Sequence, residues 1–164
     1  MVYQPKTIHL TDEDRVVMGA SGFGTTQGMG ERTALIVIDA TRKFLGEAGQ
    51  SLSLSLDTYP LSCGPAGWAA VPGIARCLEV FRAKSLPIFF TTGEDRADAL
   101  SQGRWHGKNS RILQTPEDEA RVNQIVPELA SNPGEVVIRK IKPSAFFGTP
   151  LASYLNELRI DSLV

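Results

Sequence analysis

Thr33-Ala-Leu-Ile-Val-Ile-Asp39 decides the fold. Its apolar core, Ala34 to Ile38, is short, rich in branched side chains and closed by a carboxylate. A run of this kind lacks the alternation of a half-solvated strand and predicts a strand buried on both faces. Further along, Leu86-Pro-Ile-Phe-Phe-Thr-Thr92 reads as a second strand with Pro87 at its entrance, where proline is tolerated. Gly134-Glu-Val-Val-Ile-Arg-Lys-Ile141 reads as a third and Ile160-Asp-Ser-Leu-Val164 as the start of a fourth.

Helical patterns lie between them. Pro72 suits a first helical turn, where its missing N–H would be unpaired anyway. Val71, Ile74, Leu78 and Phe81 follow at helical spacing, with Cys77 expected on the same side as a buried, unreactive thiol. Thr115-Pro116 opens a short helix with Asp118 in its first turn, and Pro127 interrupts or ends it. Thr149-Pro150 caps a helix whose core face is Leu151, Tyr154, Leu155 and Leu158. The segment Leu45 to Gly67 is irregular: Ser51-Leu-Ser-Leu-Ser-Leu-Asp57 alternates like a strand, and a structured loop fits it equally. Gly93 to Gln114 reads as a long polar loop, in which Trp105 and Lys108 either cover a substrate or form an exposed or interface surface. Strands alternating with helices define an α/β fold with a parallel sheet, and right-handed crossovers place helices on both faces, giving three layers.

Residues 1–32 read as a polar arm that crosses the surface or packs on a neighbouring subunit, and residues 33–164 as the domain. The glycines of the arm, Gly22 to Gly30, precede a strand instead of joining a strand to a helix, so they are read as a flexible turn and not a dinucleotide fingerprint.

Composition narrows the function classes. The 164 residues suit one domain, and 42% hydrophobic with 21% charged is ordinary globular usage. With 17 basic and 18 acidic residues the formal charge is -1, so no basic excess exists to bind nucleic acid. The longest apolar run, Ala34 to Ile38, is far short of the roughly 20 residues of a membrane helix. The polar start, Met1 to Arg15, does not indicate secretion. Two cysteines, Cys63 and Cys77, make no disulfide framework and suit a reducing, cytoplasmic setting.

In an open α/β sheet, ligands bind outside the carboxyl ends of the strands. Asp39 ends the first strand and Lys140 nearly ends the third. Brought together at a dry mouth, such a pair would polarise a third group, although a charge at a strand end also marks where a chain meets water.

These two residues also carry a resemblance. Ala34-Leu-Ile-Val-Ile-Asp39 with Phe44 five residues on, and Arg139-Lys140-Ile-Lys-Pro-Ser144-Ala-Phe-Phe-Gly-Thr149-Pro-Leu151, resemble the isochorismatase-like cysteine hydrolases. That family includes isochorismatases, nicotinamidases and N-carbamoylsarcosine amidase, and the chain resembles the branch of the last. Counting back four from Ser144 selects Lys140, not Lys142, as the matching lysine. The resemblance runs from about Gly28 to the end of the chain. It implies a three-layer αβα fold with a parallel, Rossmann-like sheet, whose last strands fall outside this chain.

It further implies a cysteine-dependent amidohydrolase that cleaves a C–N bond of a small amide or ureido compound through a thioester. Asp39 is then the acid/base and Lys140 its electrostatic partner. The family's nucleophile follows the fourth strand, so it is expected beyond Val164. Cys77 and the loop residue Cys63 do not match it. As given, the chain is expected to expose an unpaired sheet edge and to have little or no hydrolase activity alone. Phe44 and Phe146 are candidates for the pocket wall, with core packing the alternative. Nicotinamidases carry an Asp-x-His metal motif after the second strand, whereas Thr92-Gly-Glu-Asp-Arg96 has no histidine there. His9 lies in the arm and His106 in the long loop, so no metal and no cofactor are expected. A homo-oligomer is implied by the resemblance alone. Two other functions remain open: vinyl ether hydrolysis of the isochorismatase type with Asp39 as acid, and a non-catalytic homologue used in binding or assembly.

Overall fold

The computed structural model describes residues 10–22, 28–94 and 120–164. Two compact units are present, Met1–Gly30 and Glu31–Val164.

Within the first unit, residues Asp12–Ser21 form helix α1. The arm therefore contains regular structure that a reading of it as merely polar did not anticipate. Its signal is a capping box: the Asp14 N–H donates to Thr11 Oγ1 at 3.1 Å, and the Thr11 N–H donates to Asp14 Oδ2 at 2.9 Å. Gly22, at φ 71°, closes the helix in the left-handed region.

The second unit holds strand β1 (Thr33–Ile38), helices α2 (Arg42–Leu45), α3 (Leu52–Thr58) and α4 (Pro65–Ala83), and β2 (Ile88–Gly93). After these come a single 3-10 turn at Pro127–Leu129, β3 (Val136–Lys140), helix α5 (Leu151–Glu157) and β4 (Ser162–Leu163). The sheet is parallel, in the order β3-β2-β1-β4. Leu35, Val37, Ile88 and Phe90 bury one face against Val71, Leu78 and Phe81 of α4. Ala34, Phe89 and Ile138 bury the other against Leu151 and Leu155 of α5. This is the three-layer α/β architecture that the strand–helix alternation predicts.

Several local expectations are corrected. β1 is buried on both faces only in its first half, because Ile38 is 66% exposed. Helix α5 has seven residues, about 10 Å, and cannot cover the whole face. Only Leu151 and Leu155 of α5 are buried, while Tyr154 and Leu158, on the flanks of the stripe, face solvent. Thr149 does hold the start of this helix, its Oγ1 accepting from the Leu151 N–H at 3.2 Å.

Helix α4 starts at Pro65, not Pro72. Pro72 lies inside it on the exposed side, where a proline removes one N–H without disturbing the core. Cys77 is exposed, not buried. It sits about 80° round the helix from the centre of the stripe set by Val71, Ile74, Leu78 and Phe81. Iodoacetamide should accordingly alkylate both Cys63 and Cys77 in the native protein without denaturant, as read by intact mass; protection of Cys77 would contradict its exposure.

Ser51–Asp57 is neither strand nor loop but helix α3, capped by Ser51 Oγ accepting from the Leu54 N–H at 3.3 Å. Its leucines are exposed and its buried residue is Ser55, whose hydroxyl donates to Ser62 Oγ at 2.7 Å. Residues 120–122 are helical and end before Pro127, which opens its own 3-10 turn and does not interrupt them. Thr115-Pro116 and the loop carrying Trp105, His106 and Lys108 lie outside the described residues, as does His9.

The end of α4 is tied to the start of β3. Arg82 Nε and one of its terminal nitrogens donate to the two Glu135 oxygens at 2.7 and 2.9 Å, and Glu135 also accepts from the Asn132 N–H at 2.7 Å. Arg82 holds the Glu135 carboxyl below its ordinary value of 4.5. A depressed carboxyl pKa contributes stability above the unfolded value and loses it as pH falls through the folded one. Arg82→Ala should cost about 1–2 kcal/mol near neutral pH. Melting temperatures measured against pH should show the gap between the two proteins closing below the ordinary value of 4.5.

Candidate active site

The mouth of the sheet is built from the ends of β1, β2 and β3. β1 is followed directly by Asp39, whose φ is 52°, in the left-handed region that residues other than glycine rarely adopt. Such outliers persist where surrounding bonds over-determine them, and they cluster at functional sites. Here the Asp39 N–H donates to the Thr91 carbonyl at 3.2 Å and to Thr91 Oγ1 at 3.2 Å. Regular alternation would send Asp39 to the α4 side, opposite Ile38. The positive φ breaks that alternation, so its carboxylate meets residues of the α5 side.

Two donors converge on it. Thr91 Oγ1 donates to Asp39 Oδ1 at 2.7 Å, and Lys140 Nζ donates to Asp39 Oδ2 at 2.7 Å. Register explains the meeting: Thr91 pairs with Ile38 on one side and Ile138 on the other, and Gly93 pairs with Lys140. Lys140 follows Ile138 by two residues and so shares its face. The side chains of Lys140 and Asp39 are only 8% and 19% exposed. The two charges thus meet each other more than they meet water. An ionised carboxylate keeps acceptor capacity beyond these two bonds, so a third proton-bearing group can approach.

Phe44 lies half-buried in α2, its carbonyl accepting from the Cys63 N–H at 2.8 Å. Phe146, between β3 and α5, is 57% exposed. The structure brings Asp39 and Lys140 together and leaves these two phenylalanines on separate segments.

Sequence reasoning missed Thr91, which sits inside a strand pattern and has no motif of its own. It also missed a buried polar cluster around a tyrosine. Tyr59, 2% exposed, donates to Glu47, and Arg42 donates to the same carboxylate. Arg121 donates to the Tyr59 oxygen at 2.8 Å, with its guanidinium 5.4 Å from the ring centre. The bond from Tyr59 lowers the Glu47 pKa, while burial pushes the Tyr59 hydroxyl up. Residue spacing does not reveal this cluster because Arg121 lies 62 positions from Tyr59 in sequence.

Among the described residues no group of three or more His, Cys, Asp or Glu side chains is arranged to hold a metal. No helix among them is long and apolar enough to cross a membrane.

Residues 33–164 match the isochorismatase domain family along their whole span. The chain belongs to that family. Among relatives, N-carbamoylsarcosine amidase of Arthrobacter is 34% identical over 148 residues, covering 87% of this chain and 51% of its own length. Ureidoacrylate amidohydrolase RutB of Pseudomonas syringae is 30% identical over 146 residues, covering 80% of this chain and 57% of its own length. This isochorismatase-family chain therefore spans about half the length of the curated relatives it matches. In fold it is similar to an isochorismatase-like hydrolase from Alkaliphilus metalliredigens, with a TM-score of 0.60 at 22% identity over 80% of this chain and 64% of that one.

Proposed function

We propose that the chain carries the acid/base part of a cysteine-dependent amidohydrolase acting on a small amide or ureido compound. The observation that carries this reading is the shielded Asp39–Lys140 pair at the mouth of the sheet. In the proposed cycle Asp39 takes the proton of a thiol, and the sulfur forms a bond to the carbonyl carbon. The C–N bond then breaks and the same proton passes to the leaving nitrogen. Lys140 holds the Asp39 carboxylate in place through its hydrogen bond and stabilises the thiolate. Backbone N–H groups hold the tetrahedral oxyanion. Water adds to the thioester carbonyl, releases the acid and restores the thiol. Nothing in this cycle calls for a metal or cofactor.

Cys63 and Cys77 are poor candidates for that thiol. Cys63 directly precedes α4 and Cys77 lies within it, and α4 packs on the face of the sheet opposite the pair. The thiol is therefore assigned to another part of the whole protein. The chain's likeness to an N-carbamoylsarcosine amidase and a ureidoacrylate amidohydrolase favours a ureido substrate. The test is ammonia release from a panel of ureido and simple amides by the full-length protein, beside Lys140→Ala. Full activity in that variant would sink the reading. Loss of turnover with an unchanged melting profile would support it and would exclude a purely binding role.

A further inference from the structure

The segment Asn123–Val126 is fixed against the mouth by its own backbone. The Arg42 N–H donates to the Gln124 carbonyl at 3.0 Å, and the Val126 N–H donates to the Ala40 carbonyl at 3.2 Å. Thr41 and Ile125 form an antiparallel bridge between these two bonds. On the other side Thr92 Oγ1 donates to the Asn123 carbonyl. Asn123 is thus pinned between the loop that carries Asp39 and the end of β2.

Its carboxamide has one place to lie. A Cβ on Gly93 would stand 2.5 Å from Asn123 Oδ1, 3.1 Å from Cγ and 3.3 Å from Nδ2, so the amide rests flat on the bare glycine. Gly93 shares the face of Thr91, about 6.6 Å further toward the mouth by strand rise. On the neighbouring strand Gly93 is in register with Lys140. The amide therefore stands one step outward from the Thr91–Asp39–Lys140 hydrogen bonds, on the same side of the sheet. Asn123 is only partly buried.

We propose that Asn123 is a specificity-determining residue whose carboxamide receives the amide or ureido end of the substrate. This rests on the amidohydrolase reading and extends it. A carboxamide offers a donor and an acceptor side by side, which complements the acceptor and donor of a urea or amide. Three hydrogen bonds, from the Arg42 N–H, the Val126 N–H and Thr92 Oγ1, fix the backbone that carries it. A site built to hydrogen-bond a substrate N–H discriminates against an analogue lacking it, because a polar group is left unpaired. Gly93 is required so that the amide can approach this closely.

The experiment is titration of the nitrogen-15-labelled full-length protein with N-carbamoylglycine and with levulinate, which keeps a carbonyl and a carboxylate but has no N–H. With N-carbamoylglycine the side-chain NH2 signals of Asn123 should shift saturably, together with the amides of Thr91 and Lys140. Asn123→Leu should weaken binding about tenfold, the effect of one lost hydrogen bond at a shielded site, and should erase the preference over levulinate. Gly93→Ala keeps the asparagine but turns its amide away, and should lower affinity in the same direction. If Thr91 and Lys140 respond while Asn123 does not, and Asn123→Leu keeps both affinity and preference, the assignment of Asn123 is overturned and the amidohydrolase reading stands. If none of the three responds to either compound, the amidohydrolase reading falls and this inference falls with it.

Discussion

Asp39→Asn should lower the turnover of the full-length protein by about 10²- to 10⁴-fold, the range for loss of a positioned acid/base, while leaving the fold in place. Asparagine has the size of aspartate but cannot take up a proton at neutral pH. In the native site both carboxylate oxygens accept, one from Thr91 and one from Lys140. An asparagine retains one oxygen for Lys140 and turns an NH2 toward Thr91. The threonine hydroxyl can rotate and accept, so the hydrogen bonds survive in rearranged form. Lost ion pairing at a partly open site is worth far less than the chemistry it supports. Kinetics and a melting curve on the same preparation separate the two effects. If kcat is unchanged, Asp39 is not the acid/base. A vinyl ether substrate would also need Asp39 as acid, so the products, ammonia or an enol-derived ketone, distinguish the two reactions.

Asp39 and Lys140 could be found from sequence because the rule that places ligands at strand carboxyl ends needs only strand boundaries, and both strands are strongly apolar. The rest of the site was hidden for definite reasons. Thr91 is a polar residue within a strand, and only register turns it toward Asp39. Asn123 stands in a stretch of sequence without clear periodicity, and its place depends on the bonds of Gln124 and Val126 to Arg42 and Ala40. The positive φ of Asp39 has no residue-type signature, since glycine would be the usual choice. Helical periodicity correctly found the stripes of α4 and α5 but not their width. Cys77, Tyr154 and Leu158 lie on the flanks, and whether a flank is covered depends on the neighbouring element, not on the helix itself. Alternation failed outright in α3, where serine capping and a buried serine pair override a pattern of leucines that stay in water.

That serine pair leads to the largest stability effect expected here. Gly46→Ala should destabilise the protein by about 2–5 kcal/mol, lowering its melting temperature by roughly 5–15 °C. Gly46 has φ 69° and ψ -154°, a region that is essentially restricted to glycine. A Cβ there would also stand 2.0 Å from Ser55 Oγ and 2.9 Å from Ser62 Oγ. Those hydroxyls cannot simply withdraw. Ser55 is fully buried and donates to Ser62, which in turn accepts from the Gly64 N–H at 2.9 Å and so fixes the turn into α4. Strain and overlap can be separated by a double-mutant cycle with Ser55→Ala. Removing the Ser55 hydroxyl alone should cost about 1 kcal/mol, since it breaks one buried hydrogen bond. In the double variant that hydroxyl is no longer there to collide, so the two costs should fall short of their sum by about 1 kcal/mol or more. Strict additivity would mean that backbone strain accounts for the whole effect and that the close approach of Gly46 to the serine pair carries no energy. A Gly46→Ala protein as stable as the parent would refute both, and with them the account of why α3 packs through a serine and leaves its leucines in water.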